Sequence, residues 1–358
     1  MTSLGSWTRN VDDVETVPKP APLTGRIEAT GCAWGKPVRI TLAGTPDAAD
    51  TRERVYVRSG DPAQGEGGGE AATRSGRRGA LMQVILHGVR GSTAAPGRDF
   101  LEVGGNTSCV AITPNGYDAP TVLLDAGTGL SSVSIALDGA AYHGAIVLTH
   151  LHWDHVQGLP FFRAGDRDDA TVRLMLPAQC GAAPGLPGSA AELLARSMSP
   201  PHFPIGPDGL RGDWTFEAIE AGRFTVGGCE VTAVEVPHKG GRTFGYRIEA
   251  DGTSFAYLPD HHPAVDAQPG VELARGVDVL CHGAMFADSE RAIAHSYGHA
   301  TLGETRRLAR EAGVGRLIMV HHSPSRTDDE VDALAREFAD DDPPVTIGRE
   351  GDDVMKGV

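Results

Sequence analysis

The segment His150-Leu151-His152-Trp153-Asp154-His155 follows directly on the apolar run Ala145-Ile146-Val147-Leu148 and Thr149. A short apolar run of this kind reads as a buried strand. A strand whose exit carries three imidazoles and a carboxylate must deliver them to one rim of the fold. His150 and His152 are two positions apart, so on an extended backbone they point the same way. Asp154 and His155 follow where the chain must turn, and can face a second ion beside the first. Packing offers no reason for the spacing, because every buried imidazole has to be desolvated and hydrogen-bonded. Nitrogen and carboxylate donors suit zinc, and also manganese or iron.

The segment resembles the HxHxDH signature of the metallo-β-lactamase-fold hydrolases. The flanking stretches Arg90-Gly91-Ser92-Thr93, Gly104-Gly105-Asn106-Thr107-Ser108-Cys109 and Leu124-Asp125-Ala126-Gly127-Thr128-Gly129 narrow the likeness. They resemble the phosphodiesterase branch, which contains ribonuclease Z and the phosphoribosyl cyclic phosphate phosphodiesterase. The likeness runs from about Met82 to about Gly351. It implies an α/β protein, an αββα sandwich of two mixed β-sheets flanked by helices, built around two divalent metal ions.

Patterning agrees with an α/β sandwich. Strand-like runs fall at 82–87, 108–113, 121–125, 145–149, 171–176, 224–236, 244–249, 254–258, 277–281 and 316–320. Helix-like runs fall near 129–138, 155–163, 188–198, 301–313 and 328–339. Thr301 with Glu304 makes a capping-box pattern, and Leu302, Thr305, Leu308, Ala309 and Ala312 form its apolar face. Residues 1–80 differ. They include the Gly-rich stretch 60–70, a linker composition, and two short alternating runs, Val38–Leu42 and Val55–Val57, that suit a small hairpin. The expected organisation is an N-terminal extension over 1–80 and a hydrolase domain over 81–358.

Two ions need further donors, and strand ends supply them. His238 ends the run Val234–Val236 and can complete a first site with His150 and His152. Asp260 ends Phe255–Leu258 and resembles the family's bridging carboxylate. His321-His322 ends Leu317–Val320, and the resemblance favours His321 beside Asp154 and His155. His261 and His262 read as loop residues. Asp125 resembles a position that holds the metal loop by hydrogen bonds rather than as a ligand. His299, in Tyr297-Gly298-His299-Ala300-Thr301, resembles the histidine thought to serve the leaving group in this branch, with Ala300 in place of Ser. Relatives often carry an acid where Gly283 stands, so substrate preference or rate should differ here while metal binding survives.

The expected reaction is cleavage of a small or cyclic phosphodiester by hydroxide shared between two ions, with Asp154 and His299 as catalytic groups. The ions are expected to be zinc, with manganese or iron as alternatives. A lactone or thioester hydrolase on the same site, and a non-catalytic metal-dependent sensor, are the competing readings. Asp260 follows His238 by 22 positions, which leaves no room for the long tRNA-binding arm of ribonuclease Z. The net charge of −15 also argues against a long nucleic acid. The small substrate is expected to meet a pocket including His202 and Phe203, with Phe161 and Phe162 near it and Arg242 as a cation for phosphate. The five cysteines, Cys32, Cys109, Cys180, Cys229 and Cys281, have no CxxC spacing and fit a reduced, cytoplasmic protein. No apolar run is long enough for a membrane span, and no signal core follows Met1. The resemblance admits a homodimer.

Overall fold

The structure, a computed structural model, describes residues 27–33, 36–42, 82–179, 189–338 and 340–358. The chain divides into two compact units, Met1–Ala72 and Thr73–Val358. In the first, β1 (Ile27–Ala33) pairs antiparallel with β2 (Lys36–Leu42). The expected strand at Val38–Leu42 therefore finds its partner upstream, while Val55–Val57 lies outside the described residues.

The second unit holds two sheets. The first is six-stranded and runs in chain order: β3 (Gln83–Gly88), β4 (Cys109–Thr113), β5 (Val122–Leu124), β6 (His143–Val147), β7 (Thr171–Pro177) and β8 (Asp213–Ile219). Its β3-β4-β5 part is antiparallel and its β5-β6-β7-β8 part parallel. The second sheet is seven-stranded, from β9 (Gly222–Val226) through β10 (Cys229–Val236), β11 (Thr243–Ala250), β12 (Thr253–Leu258), β13 (Val279–Gly283) and β14 (Arg316–Val320) to β15 (Val345–Ile347). It is antiparallel from β9 to β12 and parallel from β12 to β15.

The period-two alternation of strand side chains makes the layers. Val110, Ile112, Val122, Leu124 and Val147 meet Val231, Phe244, Tyr246, Phe255, Tyr257, Val279 and Ile318 in one core between the sheets. Their sequence neighbours point outward. Ala111, Leu123, Ile146 and Leu148 pack with Leu130 and Val133 of α1 (Leu130–Ala136) and Leu193 and Leu194 of α3 (Ser189–Ala195). Ala256, Leu258, Leu280, Leu317 and Met319 pack with Val271 of α4 (Gln268–Ala274) and Leu308 of α6 (Leu302–Ala312). Helix, sheet, sheet, helix is the four-layer sandwich expected. Between α4 and α6 lies α5 (Arg291–Tyr297), α2 (Trp153–Val156) follows β6, and α7 (Asp328–Glu337) follows β14. The capping box at Thr301 forms, with its hydroxyl accepting from Glu304 N and Glu304 accepting from Thr301 N.

The directions of the strands decide where chemistry can occur. The C-terminal ends of β5, β6, β10, β12 and β14 all come to one rim, the position at which α/β sheets receive ligands. That rim carries Asp125, Thr149, His238, Asp260 and His321, each just past its strand.

Several elements depart from the sequence expectation. The run 224–236 is a hairpin, not one strand, because Gly227 and Gly228 both take positive φ (56° and 82°). The helix expected over 155–163 splits into α2 and a 3-10 turn at Leu159–Phe161, because Gly158 and Pro160 interrupt it. The strands β8 and β15 and the helices α4 and α5 were not anticipated.

One buried cation ties three loops behind the rim. Arg90 is wholly buried. Its Nε donates to the carbonyl of Gly104 (2.7 Å), Nη1 to those of Ser323 and Arg326 (3.2 and 2.7 Å), and Nη2 to Asp328 Oδ1 (3.0 Å). Removing one partner of a buried charge pair leaves the other uncompensated. Arg90→Ala is therefore expected to cost roughly 3–5 kcal/mol, and Arg90→Lys to rescue little, since an ammonium cannot reproduce the planar fork. Urea unfolding of the three proteins checks this; a loss below about 1 kcal/mol for Arg90→Ala would remove Arg90 from this role.

Candidate metal centre

The sequence after β6 builds one end of the site. Asp125 adopts the left-handed region (φ 60°), and its carboxylate turns back onto the loop. Oδ1 accepts from Thr149 N and Oγ1 (2.7 and 2.9 Å), and Oδ2 accepts the Nδ1–H of His155 (2.8 Å). Since the Thr149 hydroxyl donates to Asp125, it accepts from His150 Nδ1 at 3.0 Å. The Nδ1–H of His238 donates to the carbonyl of Gly298 (2.8 Å). The rings of His150 and His238 are thus fixed in the tautomer that leaves Nε2 with a free lone pair, and His155 commits Nδ1 to Asp125 and points Nε2 into the same space.

Those lone pairs converge. His150, His152 and His238 form one group whose ligand atoms lie within 4.8 Å of each other, and Asp154, His155 and His321 form another. Asp260 lies between them. Its Oδ2 is 2.9 Å from His155 Nε2 and 3.3 Å from His321 Nε2, and its Oδ1 is 3.7 Å from His238 Nε2. His321 also takes a left-handed backbone (φ 56°), which aims its ring at Asp154, with Nε2 3.1 Å from Oδ2. The neighbouring His322 turns away and contacts the carbonyl of Gly348 (3.1 Å). Ser92, a third left-handed residue (φ 63°), donates its N–H to Asp154 Oδ2 at 2.7 Å. Non-glycine residues in this region carry strain that tends to collect at functional sites.

These residues fit divalent cations. His150 Nε2, His155 Nε2 and Asp260 Oδ2 are buried and have no hydrogen-bond partner, although the last two are 2.9 Å apart. The contact is close but not aligned as a hydrogen bond, the arrangement of atoms that share a third, positive partner. Charge points the same way. Burial would raise the carboxyls of Asp154 and Asp260, but the facing imidazoles outweigh it and hold both below the usual carboxylate range. Burial pushes His150 and His152 down, and His238 down to about 4, so all three stay neutral and able to ligate. His155 is also pushed down by burial, but Asp154, Asp125 and Asp260 outweigh this and hold it above the ordinary range.

A cavity of about 450 Å³ opens over the cluster, lined by Ser92, His152, His238, Lys239, Gly240, Met285, Phe286, Tyr297 and His299. His299 sits on the link between α5 and α6, with Nδ1 3.1 Å from Asp260 Oδ1. Lys239, Met285, Phe286 and Tyr297 were not singled out from the sequence. Tyr297 lies two positions before His299 and Lys239 directly after His238, which is the signal that was there to use.

The other expected pocket residues lie elsewhere. Arg242 is held by Glu220 (2.7 Å), Glu235 (3.0 Å) and the carbonyl of Ala178 (2.7 Å), which consume its charge and its donors. His202 is exposed. Phe203 packs edge-on against Phe161 at 5.7 Å in a separate groove with Trp153, and Phe162 is buried against Tyr142. His261 is buried, with Nδ1 3.2 Å from His282 Nε2.

Two expectations follow. Asp125→Asn loses one of the acceptors that orient His155 and Thr149, and should weaken zinc binding by about 10–100-fold; chelator competition measures this, and unchanged affinity would exclude the orienting role. Around the cluster, burial also pushes His87 and His282 down to about 4, and His261 and His322, which directly follow Asp260 and His321, down to about 3. Each stays neutral in the fold while the unfolded chain takes up a proton near pH 6.5. Stability of metal-free protein should therefore fall from pH 6.5 toward pH 4, with slope up to about 1.4 kcal/mol per pH unit per group. His155, raised, opposes this as a single group. Urea midpoints in chelator between pH 7.5 and 5 test it, and a flat profile would contradict it.

A family model described as the beta-lactamase superfamily domain matches residues 121–322, more than half of the chain. The ribonuclease Z of Limosilactobacillus fermentum is 29% identical over 228 residues, covering 50% of this chain and 69% of that one. The ribonuclease Z of Nocardia farcinica is 29% identical over 250 residues, covering 56% and 77%. Among solved structures, the metallo-beta-lactamase fold protein YhfI from Bacillus subtilis aligns with TM-score 0.56 at 18% identity, covering 76% of this chain and 99% of that one. A diphosphatase from the PhnP family aligns with TM-score 0.56 at 19% identity, covering 75% and 96%. The structural likenesses show the shared fold. The family match, with the sandwich and the histidine-aspartate rim, identifies the chain as a metallohydrolase of the beta-lactamase superfamily.

Proposed function

We propose that the protein hydrolyses a small or cyclic phosphodiester with two divalent ions, zinc in the first instance. His150, His152 and His238 hold one ion; Asp154, His155 and His321 hold the other; Asp260 serves both. The observation that carries this reading is the placement of Asp260, whose two oxygens face the two groups of histidines separately. Such a pair, when bound, supplies hydroxide at neutral pH and neutralises the charge on phosphoryl oxygens.

The chain's own residues do the rest. The Ser92 N–H fixes the Asp154 oxygen that orients the nucleophile. His299, on the open side of the cluster, gives a proton to the leaving oxygen, a role suited to an imidazole near neutral pH. Met285, Phe286 and Tyr297 form an apolar wall that limits water, and Lys239 offers a cation at the rim. Arg242 is left out of this account, since its charge is already paired.

The names of the ribonuclease Z relatives favour RNA as a second reading. A small substrate is supported against it by the cavity's size, by the net charge of −15 and by the short connections around β11, which leave no protruding arm between His238 and Asp260. The catalytic unit is residues 81–358, with 1–80 as an extension. A reducing, cytoplasmic setting is supported by the buried, unpaired Cys109, Cys229 and Cys281. No helix among the described residues is long and apolar enough to cross a membrane.

Zinc- or manganese-loaded protein should cleave bis(p-nitrophenyl) phosphate and cyclic phosphodiesters, and Asp260→Ala should abolish this. His299→Ala should lower kcat by about 10²–10⁴-fold on diesters with poor leaving groups, and much less on nitrophenyl esters. Cleavage of a precursor tRNA in preference to small diesters would move the assignment to RNA; activity on lactones alone would move it to carbonyl chemistry. A loaded but inert protein would leave the sensor reading.

A further inference from the structure

His299 belongs to a third set of converging donors. Its ligand atom, that of His238 and that of Asp260 all lie within 4.8 Å of one another. His299 Nδ1 stands 3.1 Å from Asp260 Oδ1, the oxygen that faces His238 rather than the one that faces His155 and His321. The His299 ring lies 5.0 Å from that of His238 and 5.4 Å from that of His321, so it covers the cluster on the cavity side. Its side chain is only 12% exposed.

The position is built, not incidental. α5 ends in the left-handed Gly298 (φ 83°), and the His299 N–H closes back on the carbonyl of Ala294 (3.0 Å). The capping box at Thr301, braced by Asp288 Oδ1 (2.5 Å), starts α6 directly afterwards. The Gly298 carbonyl takes the Nδ1–H of His238. A Cβ on Gly298 would meet Lys239 N at 2.8 Å, so the link is pressed against the strand that carries His238. The link that presents His299 is therefore also the one that sets the tautomer of a first-site ligand.

Resting on the two-ion reading above, we propose that His299 is itself a ligand in the substrate-free protein. Its Nδ1 completes the coordination of the ion held by His150, His152 and His238, beside the shared carboxylate. Entry of a phosphate group displaces it, the freed Nδ1 takes up a proton from solvent, and the resulting imidazolium is then the group beside the leaving oxygen. The ligand and the proton donor are one residue in two states, and the site protects its open coordination position until substrate arrives.

Metal binding tests this separately from turnover. Zinc affinity is measured by chelator competition for the full chain, for His299→Ala and for His299→Gln, with and without inorganic phosphate. The expected result is an affinity for one of two ions weakened about tenfold by either substitution, with the difference narrowing when phosphate is present. Equal affinities in all three proteins without phosphate would overturn the proposal. The cobalt-loaded unsubstituted protein provides a readout that needs no variant. Phosphate should change its visible bands as the imidazole leaves, whereas in His299→Ala the phosphate-free bands should already differ from those of the unsubstituted protein. Bands identical in the two proteins would also overturn it. If no zinc binds at all, the two-ion reading fails together with this one. If two ions bind with the His299 effect but no diester is cleaved, the coordination proposal is supported and the substrate reading alone is lost.

Discussion

Six imidazoles and the carboxylates of Asp125, Asp154 and Asp260 share one rim between two sheets, and most of them are buried. Bringing that many polar groups out of water is costly unless each finds a partner. Here the pairing is incomplete, since several ring nitrogens and one Asp260 oxygen face one another without hydrogen bonds. The cluster is thus organised around positive charge that the chain does not itself supply. Much of the surrounding architecture serves this one electrostatic requirement. Parallel strands bring their ends to the same edge. The carboxylate of Asp125 orients the rings of His150 and His155 from behind, through Thr149 in one case and directly in the other. Arg90 holds the loops of Gly104 and Ser323–Asp328 that close the back of the rim.

Tight packing around the ligands follows from the same requirement. A Cβ on Gly127 would meet the carbonyl of Asp154 at 2.3 Å, and one on Gly91 would meet the His321 ring at 2.3 Å. Glycine is needed at these two places because backbone passes where a side chain would displace a ligand. Of the five non-glycine left-handed residues among those described, Ser92, Asp125 and His321 touch the cluster or its support, while Asp138 and Asp251 lie in turns elsewhere. At these three positions the strained backbone sets the direction of a side chain at the rim.

The sandwich and the rim residues were legible because each rim residue follows a run of buried, alternating residues. Phe255, Tyr257 and then Asp260, or Ile318, Val320 and then His321, read directly as inner-face residues followed by a rim residue. What escaped had weaker local signal. In β8, Trp214, Phe216 and Ala218 do alternate, but Asp213, Thr215 and Glu217 between them make the segment read as polar. The three residues of β15 are too few for any periodicity. α4 begins Gln268-Pro269-Gly270, a turn signal, and only packing of Val271 and Leu273 against the outer face of the second sheet makes it a helix. Arg242 was misplaced for a tertiary reason. Its neighbour in sequence is the rim, but its partners Glu220 and Glu235 lie on the neighbouring strands and turns, and no local pattern reveals them. Tyr297, Phe286 and Lys239 reach the cavity from three separate segments, so their convergence is visible only in three dimensions.

Gly283 stands where the backbone leaves no room for a side chain. A Cβ there would meet the Pro259 carbonyl at 2.0 Å, so the end of β13 lies against the backbone that carries Asp260. An acidic side chain at this position would have to push that backbone, and with it the carboxylate between the two metal groups. With no acid at 283, the carboxylate beside His299 is that of Asp260, at 3.1 Å. An imidazole oriented by a separate acid would face the substrate as a dedicated proton donor. One whose Nδ1 is turned toward Asp260 is directed into the cluster instead. The bare residue 283 bears on Asp260 through the backbone of Pro259, and His299 bears on it through Oδ1.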